Sequence, residues 1–195
     1  MVVRNAQKTQ SYELAKLIEH AAKGDLDHGL DYYAWSQSAV DGQDPYQVGS
    51  DIIASEQEKY TYNNIRIIEC EGKIAALALS YIIVKKTKQE LEAVLELFKT
   101  FSILVQTVVG SYYLDSFVVE ADFRGKGFSR VLLADTIEVA RKSKARDICL
   151  LCFEQNTLAL GLYEKYGFKI TNKAKAICHP ALPYQGNILL LTKTL

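Results

Sequence analysis

Arg124-Gly125-Lys126-Gly127, set directly before the apolar-periodic run Phe128 to Ala140, is the stretch whose residue types are best suited to chemistry. A strand ending at Val119, a turn, and a helix entered near Phe128 would present the helix's first backbone N–H groups at the strand's end. Glycines without a Cβ let a ligand approach that backbone, and the helix dipole with the cations of Arg124 and Lys126 favours negative charge. Phosphate is the natural candidate. The dinucleotide fingerprint lacks its third glycine here, and the P-loop would need a lysine where Phe128 stands. A basic turn leading into a surface helix is the plain alternative.

A second chemical spacing is Cys149-x-x-Cys152. It falls inside a run that reads as a strand, where an odd offset points the two side chains to opposite faces, so joint redox or metal chemistry is not expected. Zinc would need two further ligands, with Cys178 and His179 on offer, so buried thiols are the expectation and no metal is. Four cysteines scattered over 195 residues do not make a disulfide framework.

Those groups need a scaffold. A chain of this length and 49% hydrophobic composition can bury one core, and a single domain over 1–195 is expected. Lys plus Arg and Asp plus Glu both number 23, so bulk charge gives no case for a nucleic-acid or membrane partner. The N-terminus lacks the apolar core of a signal peptide and no window approaches a membrane span, which reads as cytoplasmic.

VVR reads as a short strand and SYELAKLIEHAAK as a helix stopped by Gly24. Residues 25–50 read as short helical pieces joined by turns, with a further helix around Ile52 to Lys59. NNIRIIECEGKIAALALSYIIV gives two strands hinged at the three-residue loop Glu71-Gly72-Lys73. TKQELEAVLELFKTF opens with Thr87 and Glu90 at capping-box spacing and continues as one amphipathic helix. YYLDSFVV, DICLLCF, FKITNKAKAICHP and YQGNILLLTKTL read as strands, and NTLALGLYEKYGF as a short helix closed by Gly167.

Arg124-Gly125-Lys126-Gly127-Phe128-Ser129 resembles the pyrophosphate loop of the GNAT family of N-acetyltransferases, departing from its pattern at Ser129, where glycine or alanine is usual. NTLALGLYEKYGF resembles the family's second signature. With YLDSFVV ahead and a strand between, the resemblance covers Tyr113 to about Lys169. It implies an α/β (α+β) fold, a central mixed, mostly antiparallel sheet splayed at the acetyl-CoA site and flanked by helices, with residues 113–169 as the donor core. Residues 25–60 and 85–110 would then be acceptor-side or interface segments.

The resemblance implies that the backbone of Phe117, Val118 and Val119 holds the pantetheine arm of acetyl-CoA. Arg124, Gly125, Lys126, Gly127, Phe128 and Ser129 would bind the pyrophosphate, and Asn156 would contact the arm. Tyr163 matches the family tyrosine that protonates the leaving coenzyme A thiolate; the other reading is a packing tyrosine, for which Tyr166 is the better candidate. Family members carry a catalytic glutamate where this chain has Tyr113 or Leu151, neither of which can be a base. Asp115, two residues from Tyr113 and on the same strand face, is the first substitute; Glu120, Glu154 and His179 read as structural or solvated.

The expected activity is acetyl transfer from acetyl-CoA to a primary amine by direct attack in a ternary complex. The acceptor would be a small-molecule amine or a peptide. A longer acyl donor, a hydroxyl acceptor, or a module that senses acyl-CoA without turnover are the alternatives. Tyr32, Tyr33, Trp35 and the apolar segment Phe101 to Val109 would line an acceptor pocket on one reading and are core or interface on the other, which comes first. If the segment is exposed, it would mark a homodimer contact.

Overall fold

The computed structural model describes residues 2–56 and 59–195. Its strands are β1 (Val3–Asn5), β2 (Ile65–Cys70), β3 (Lys73–Ile82), β4 (Tyr112–Val119), β5 (Asp147–Phe153), β6 (Lys169–Lys175) and β7 (Asn187–Thr194). They form one mixed sheet in the order β1-β2-β3-β4-β5-β7-β6. The helices are α1 (Ser11–Lys23), α2 (Leu30–Ser38), α3 (Pro45–Ala54), α4 (Lys88–Glu92), α5 (Glu96–Gln106), α6 (Phe128–Lys142) and α7 (Thr157–Lys165). The α/β class with a mixed sheet flanked by helices is therefore as expected.

The chain divides into two compact units. The first holds the chain up to Ser80, residues 116–136 and residues 180–183. In it α1 buries Leu14, Leu17 and Ile18 on one face, the spacing that marked it as a helix, and ends at Gly24, whose φ is 58°. The start of α2 is held by the buried Glu19 carboxylate, which accepts from the Gly29 and Tyr32 backbone N–H groups. The α3 helix begins earlier than the expected 52–59, because Asp44 caps it by accepting from Tyr46 N at 3.0 Å and Pro45 fills its first position. Gln57 and Glu58 of that expected helix lie outside the described residues.

Strands β2 and β3 pair antiparallel with Cys70 opposite Lys73, so the connecting turn has two residues and not the expected three. Glu71 and Gly72 both take positive φ, 54° and 73°, the conformation whose twist suits a two-residue hairpin.

The second unit holds residues 81–115, 137–179 and 184–195. The Thr87–Glu90 capping box is formed: Glu90 N donates to Thr87 Oγ1 at 3.2 Å and Thr87 N to Glu90 Oε2 at 2.6 Å. The single helix expected after it is instead two. Leu95 takes an extended backbone (φ −50°, ψ 139°) and restarts the chain as α5, whose buried positions are Leu97 and Leu104. Strand β5 pairs antiparallel with β7, and β6 with β7, while α5 packs on β6 and β7. Asn156 caps α7 by accepting from Ala159 N at 3.3 Å, and Gly167, with φ 85°, closes it as Phe168 N returns to Tyr163 O.

Candidate active site

Within the first unit, the end of β4 leads through a turn at Ala121–Phe123 into the glycine loop and α6. Gly125 and Gly127 have φ of 75° and 83°, and a Cβ built on either would meet no atom within 4 Å. The backbone conformation asks for glycine here, and crowding does not; the space in front is open to a ligand. Arg130 N and Val131 N bond to Gly127 O at 3.1 and 3.3 Å, so the helix starts at the loop's last glycine and its first turn follows the loop directly.

The loop is tied down at both flanks. Arg124 is exposed, and its Nε donates to Val119 O at 3.2 Å, fastening the loop to the end of β4. Phe123 and Phe128 are buried with ring centroids 6.0 Å apart, and Lys126 Nζ lies 5.0 Å over the Phe123 ring. Ser129 is half-buried at the second helical position. Glu120 is engaged with His20, Nδ1 to Oε1 2.9 Å, and its backbone N–H donates to Ala75 O. Two basic residues, two positive-φ glycines and a helix start thus lie within six consecutive residues, a combination whose chemistry suits a phosphate group.

Within the second unit, β4 runs parallel to β5 with Tyr112, Tyr113 and Leu114 opposite Ile148, Cys149 and Leu150. Tyr113 is buried, its ring edge-on to Tyr81 on β3 at 5.7 Å. Asp115, on the same strand face as Tyr113, accepts a hydrogen bond from the Tyr81 hydroxyl. Burial first, then the Asp115 charge, pushes the Tyr81 phenol well above its ordinary range. No sequence spacing pointed to Tyr81. A tyrosine near the end of a buried apolar strand was the available signal, and it does not say which carboxylate the hydroxyl will meet.

Tyr163, on α7, is 7% exposed and edge-on to Phe168 at 5.8 Å. Burial, with a smaller contribution from Cys152, raises its phenol well above the usual value. Tyr166, the expected packing tyrosine, is the more exposed of the two. It sits at the C-terminal cap of α7, whereas the i−3 position of Tyr163 turns inward. Asn156 spends its side-chain oxygen on the helix cap, leaving its amide N–H₂ as the donor side.

Cys149 lies opposite Tyr113 and Thr192, Cys152 opposite Leu189, in keeping with side chains on opposite faces. Burial pushes both thiols up to about 12, Cys149 with help from Asp147, so they are neutral and unreactive. Among the described residues no three His, Cys, Asp or Glu gather as metal ligands. Glu154 accepts from Asn187 through N and Nδ2, at 3.0 and 2.8 Å, and these bonds hold its carboxyl below the usual range. His179 is half-buried on the β6–β7 connection. Trp35 is core, packed so tightly on Gly49 that a Cβ there would lie 2.7 Å from the indole, whereas Tyr32 and Tyr33 are half-buried.

The profile described as Acetyltransferase (GNAT) family matches residues 29–168. The chain belongs to the GNAT family. Two GNAT-signature features of the sequence, the loop at Arg124–Ser129 and the α7 segment, fall inside that match. Among solved structures, a mosquito arylalkylamine N-acetyltransferase like 5b superposes with TM-score 0.71 at 15% identity, over 100% of this chain and 99% of its own. An N-acetyltransferase from Staphylococcus aureus Mu50 gives TM-score 0.63 at 18% identity, over 99% and 100%. These likenesses establish a shared GNAT fold. Spermine/spermidine N(1)-acetyltransferase of Bacillus subtilis (strain 168) is 32% identical over 65 residues, 33% of this chain and 43% of that protein. The chain thus matches less than half the length of this curated relative.

Proposed function

We propose that the protein transfers an acetyl group from acetyl-CoA to a primary amine by direct attack in a ternary complex, as a single N-acetyltransferase domain. The observation that carries this reading is the loop with positive φ at Gly125 and Gly127, between β4 and α6, in a chain of the GNAT family. Arg124, Lys126 and the first-turn N–H groups of Phe128 and Ser129 would hold the pyrophosphate, with the Ser129 hydroxyl as a further donor. The backbone of Phe117, Val118 and Val119 would hold the pantetheine arm, and the Asn156 amide would meet it.

Acetyl-CoA supplies the activated acyl group; the protein's residues handle the protons. A buried Tyr163, protonated at any working pH, would donate a hydrogen bond to the departing sulfur. A thiol titrates near 8.5, so full proton transfer from a phenol raised above its ordinary 10 runs uphill, and hydrogen-bond stabilisation is the role its environment favours. Asp115 would be the base for the acceptor's ammonium, directly or through water.

A primary-amine acceptor is favoured by the 65-residue likeness to the spermine/spermidine enzyme. We place the work in the cytoplasm, in keeping with four cysteines that are all free thiols. On and after α5, Ile103 (62% exposed) and Val109 (44%) are the apolar surface that a homodimer contact would use.

Thiol release followed with 5,5'-dithiobis(2-nitrobenzoic acid) over a panel of polyamines, amino acids and peptides tests the activity, alongside calorimetry with acetyl-CoA. Amine-dependent thiol release supports the transferase. Tight acetyl-CoA binding with no release for any acceptor favours a sensing module, a reading that the absence of a glutamate at Tyr113 and Leu151 keeps in view.

A further inference from the structure

Asp115 does not stand alone on its face of the sheet. The Tyr81 hydroxyl, reaching across from β3, donates to Asp115 Oδ2, and the Tyr81 ring is fixed by the edge of Tyr113 at 5.7 Å with an interplanar angle of 73°. Tyr113 in turn lies opposite Cys149 on β5. Tyr81 is buried and sits in a strand whose interior is buried throughout, so its ring has little freedom to swing the hydroxyl elsewhere.

We infer that Tyr81 is a positioning residue for the Asp115 carboxylate, aiming it and keeping it in the acceptor form that takes a proton from the amine. This rests on reading Asp115 as the base. Among the groups that act electrostatically on Tyr81 are Asp115 and Tyr113 from β4 and Cys149 from β5. Cys149, pushed up to about 12, adds no charge near neutral pH, and the raised Tyr81 phenol keeps its proton throughout the working range. A permanent O–H donor therefore occupies one oxygen of Asp115, which orients the carboxylate's remaining lone pairs.

The proton count is simple. An ammonium acceptor gives one proton to Asp115, and the freed lone pair forms the N–C bond to the acetyl carbon. The C–S bond breaks, with its electron pair leaving on sulfur. Of the two protons the ammonium sheds in becoming an amide, one ends on the thiol and one passes through Asp115 to solvent. Tyr81 keeps its own proton from start to finish, so its effect is on the geometry and basicity of its neighbour.

The test is a cycle of Tyr81→Phe, Asp115→Asn and the double variant, read as pH profiles of kcat/KM for the amine. Tyr81→Phe keeps the ring and its packing, and a melting curve checks the fold. It is expected to lower kcat/KM about tenfold, the size of one hydrogen bond to a charged group, and to move the acid limb to higher pH, because a carboxylate that loses a donor protonates more readily. Acetyl-CoA affinity should stay within about twofold. In the Asp115→Asn background the second change should add almost nothing. An unmoved acid limb in Tyr81→Phe, or losses that multiply fully in the double variant, would overturn the inference. A wild-type protein that binds acetyl-CoA but acetylates no amine would instead overturn the reading beneath it, and that is seen before any variant is made.

Discussion

Arg66 on β2 grips Asp135 on α6 through two parallel hydrogen bonds, Nε to Oδ2 at 2.8 Å and Nη2 to Oδ1 at 2.9 Å. Each side chain is about three-quarters buried, so the pair is shielded from salt more than a surface ion pair would be. It fixes α6 two turns beyond its start at Phe128. Arg66→Ala is expected to cost about 2 kcal/mol in urea unfolding, since the largely buried Asp135 carboxylate loses its bidentate partner. Calorimetry should also show weaker acetyl-CoA binding if the seat of α6 sets the loop; unchanged binding would make the pair purely structural.

Gly125 and Gly127 are positive-φ positions with open space around them. Substitution by Ala meets no clash, so its cost is that of an L-residue in the left-handed region, about 1–2 kcal/mol at each position. Denaturant unfolding should show that loss. Coenzyme A affinity should fall as well, and more than in an equally destabilised variant remote from the loop. Arg124→Ala should weaken binding and flatten its salt dependence while leaving stability near wild type. A coenzyme A affinity indifferent to all three changes would remove the loop from the donor site.

The elements most legible in the sequence are those whose signals are local. The α1 periodicity, the Thr87–Glu90 box and the glycine that closes α7 each depend on residues a few positions apart, and each is formed as read. Failures arose where a short-range choice had two answers. A Glu-Gly pair can open a three-residue loop or make a two-residue turn, and cross-strand pairing decided for the latter. Continuous helical spacing from Leu91 to Phe101 gave no hint of the extended Leu95 that splits it. In the candidate site, the glycine turn before a helix could be read because its signals lie within six consecutive residues. The Tyr81–Asp115 contact joins residues 34 apart in sequence, and only the packing of β3 and β4 residues in one unit brings it about.

Tyr163→Phe removes one hydroxyl from a buried ring that packs on Phe168 and faces the neutral Cys152 thiol. The prediction is a fall in kcat of about 10- to 100-fold with acetyl-CoA affinity nearly unchanged, as for a donor that acts when charge develops on sulfur. Because the raised phenol never ionises in the assay range, the wild-type rate should show no alkaline limb assignable to it below pH 10. A rate equal to wild type would reassign Tyr163 to packing, the role first expected of Tyr166.

Stability should fall in alkali, and the buried thiols set where. Cys149 and Cys152 titrate near 12 in the folded chain but near 9 when unfolded, so between those values the unfolded state holds fewer protons than the native one. The unfolding free energy then decreases with pH, by up to about 1.4 kcal/mol per pH unit for each thiol. Tyr81 and Tyr163, also raised, extend the decline above pH 10. Urea titrations at intervals from pH 7.5 to 10.5 should be flat to about 8.5 and then steepen. Cys152→Ala should lower stability at pH 7.5 through the lost packing yet flatten the alkaline slope by one thiol's share, so its curve converges on that of wild type as pH rises. Parallel curves would mean that the Cys152 proton is not what alkali removes.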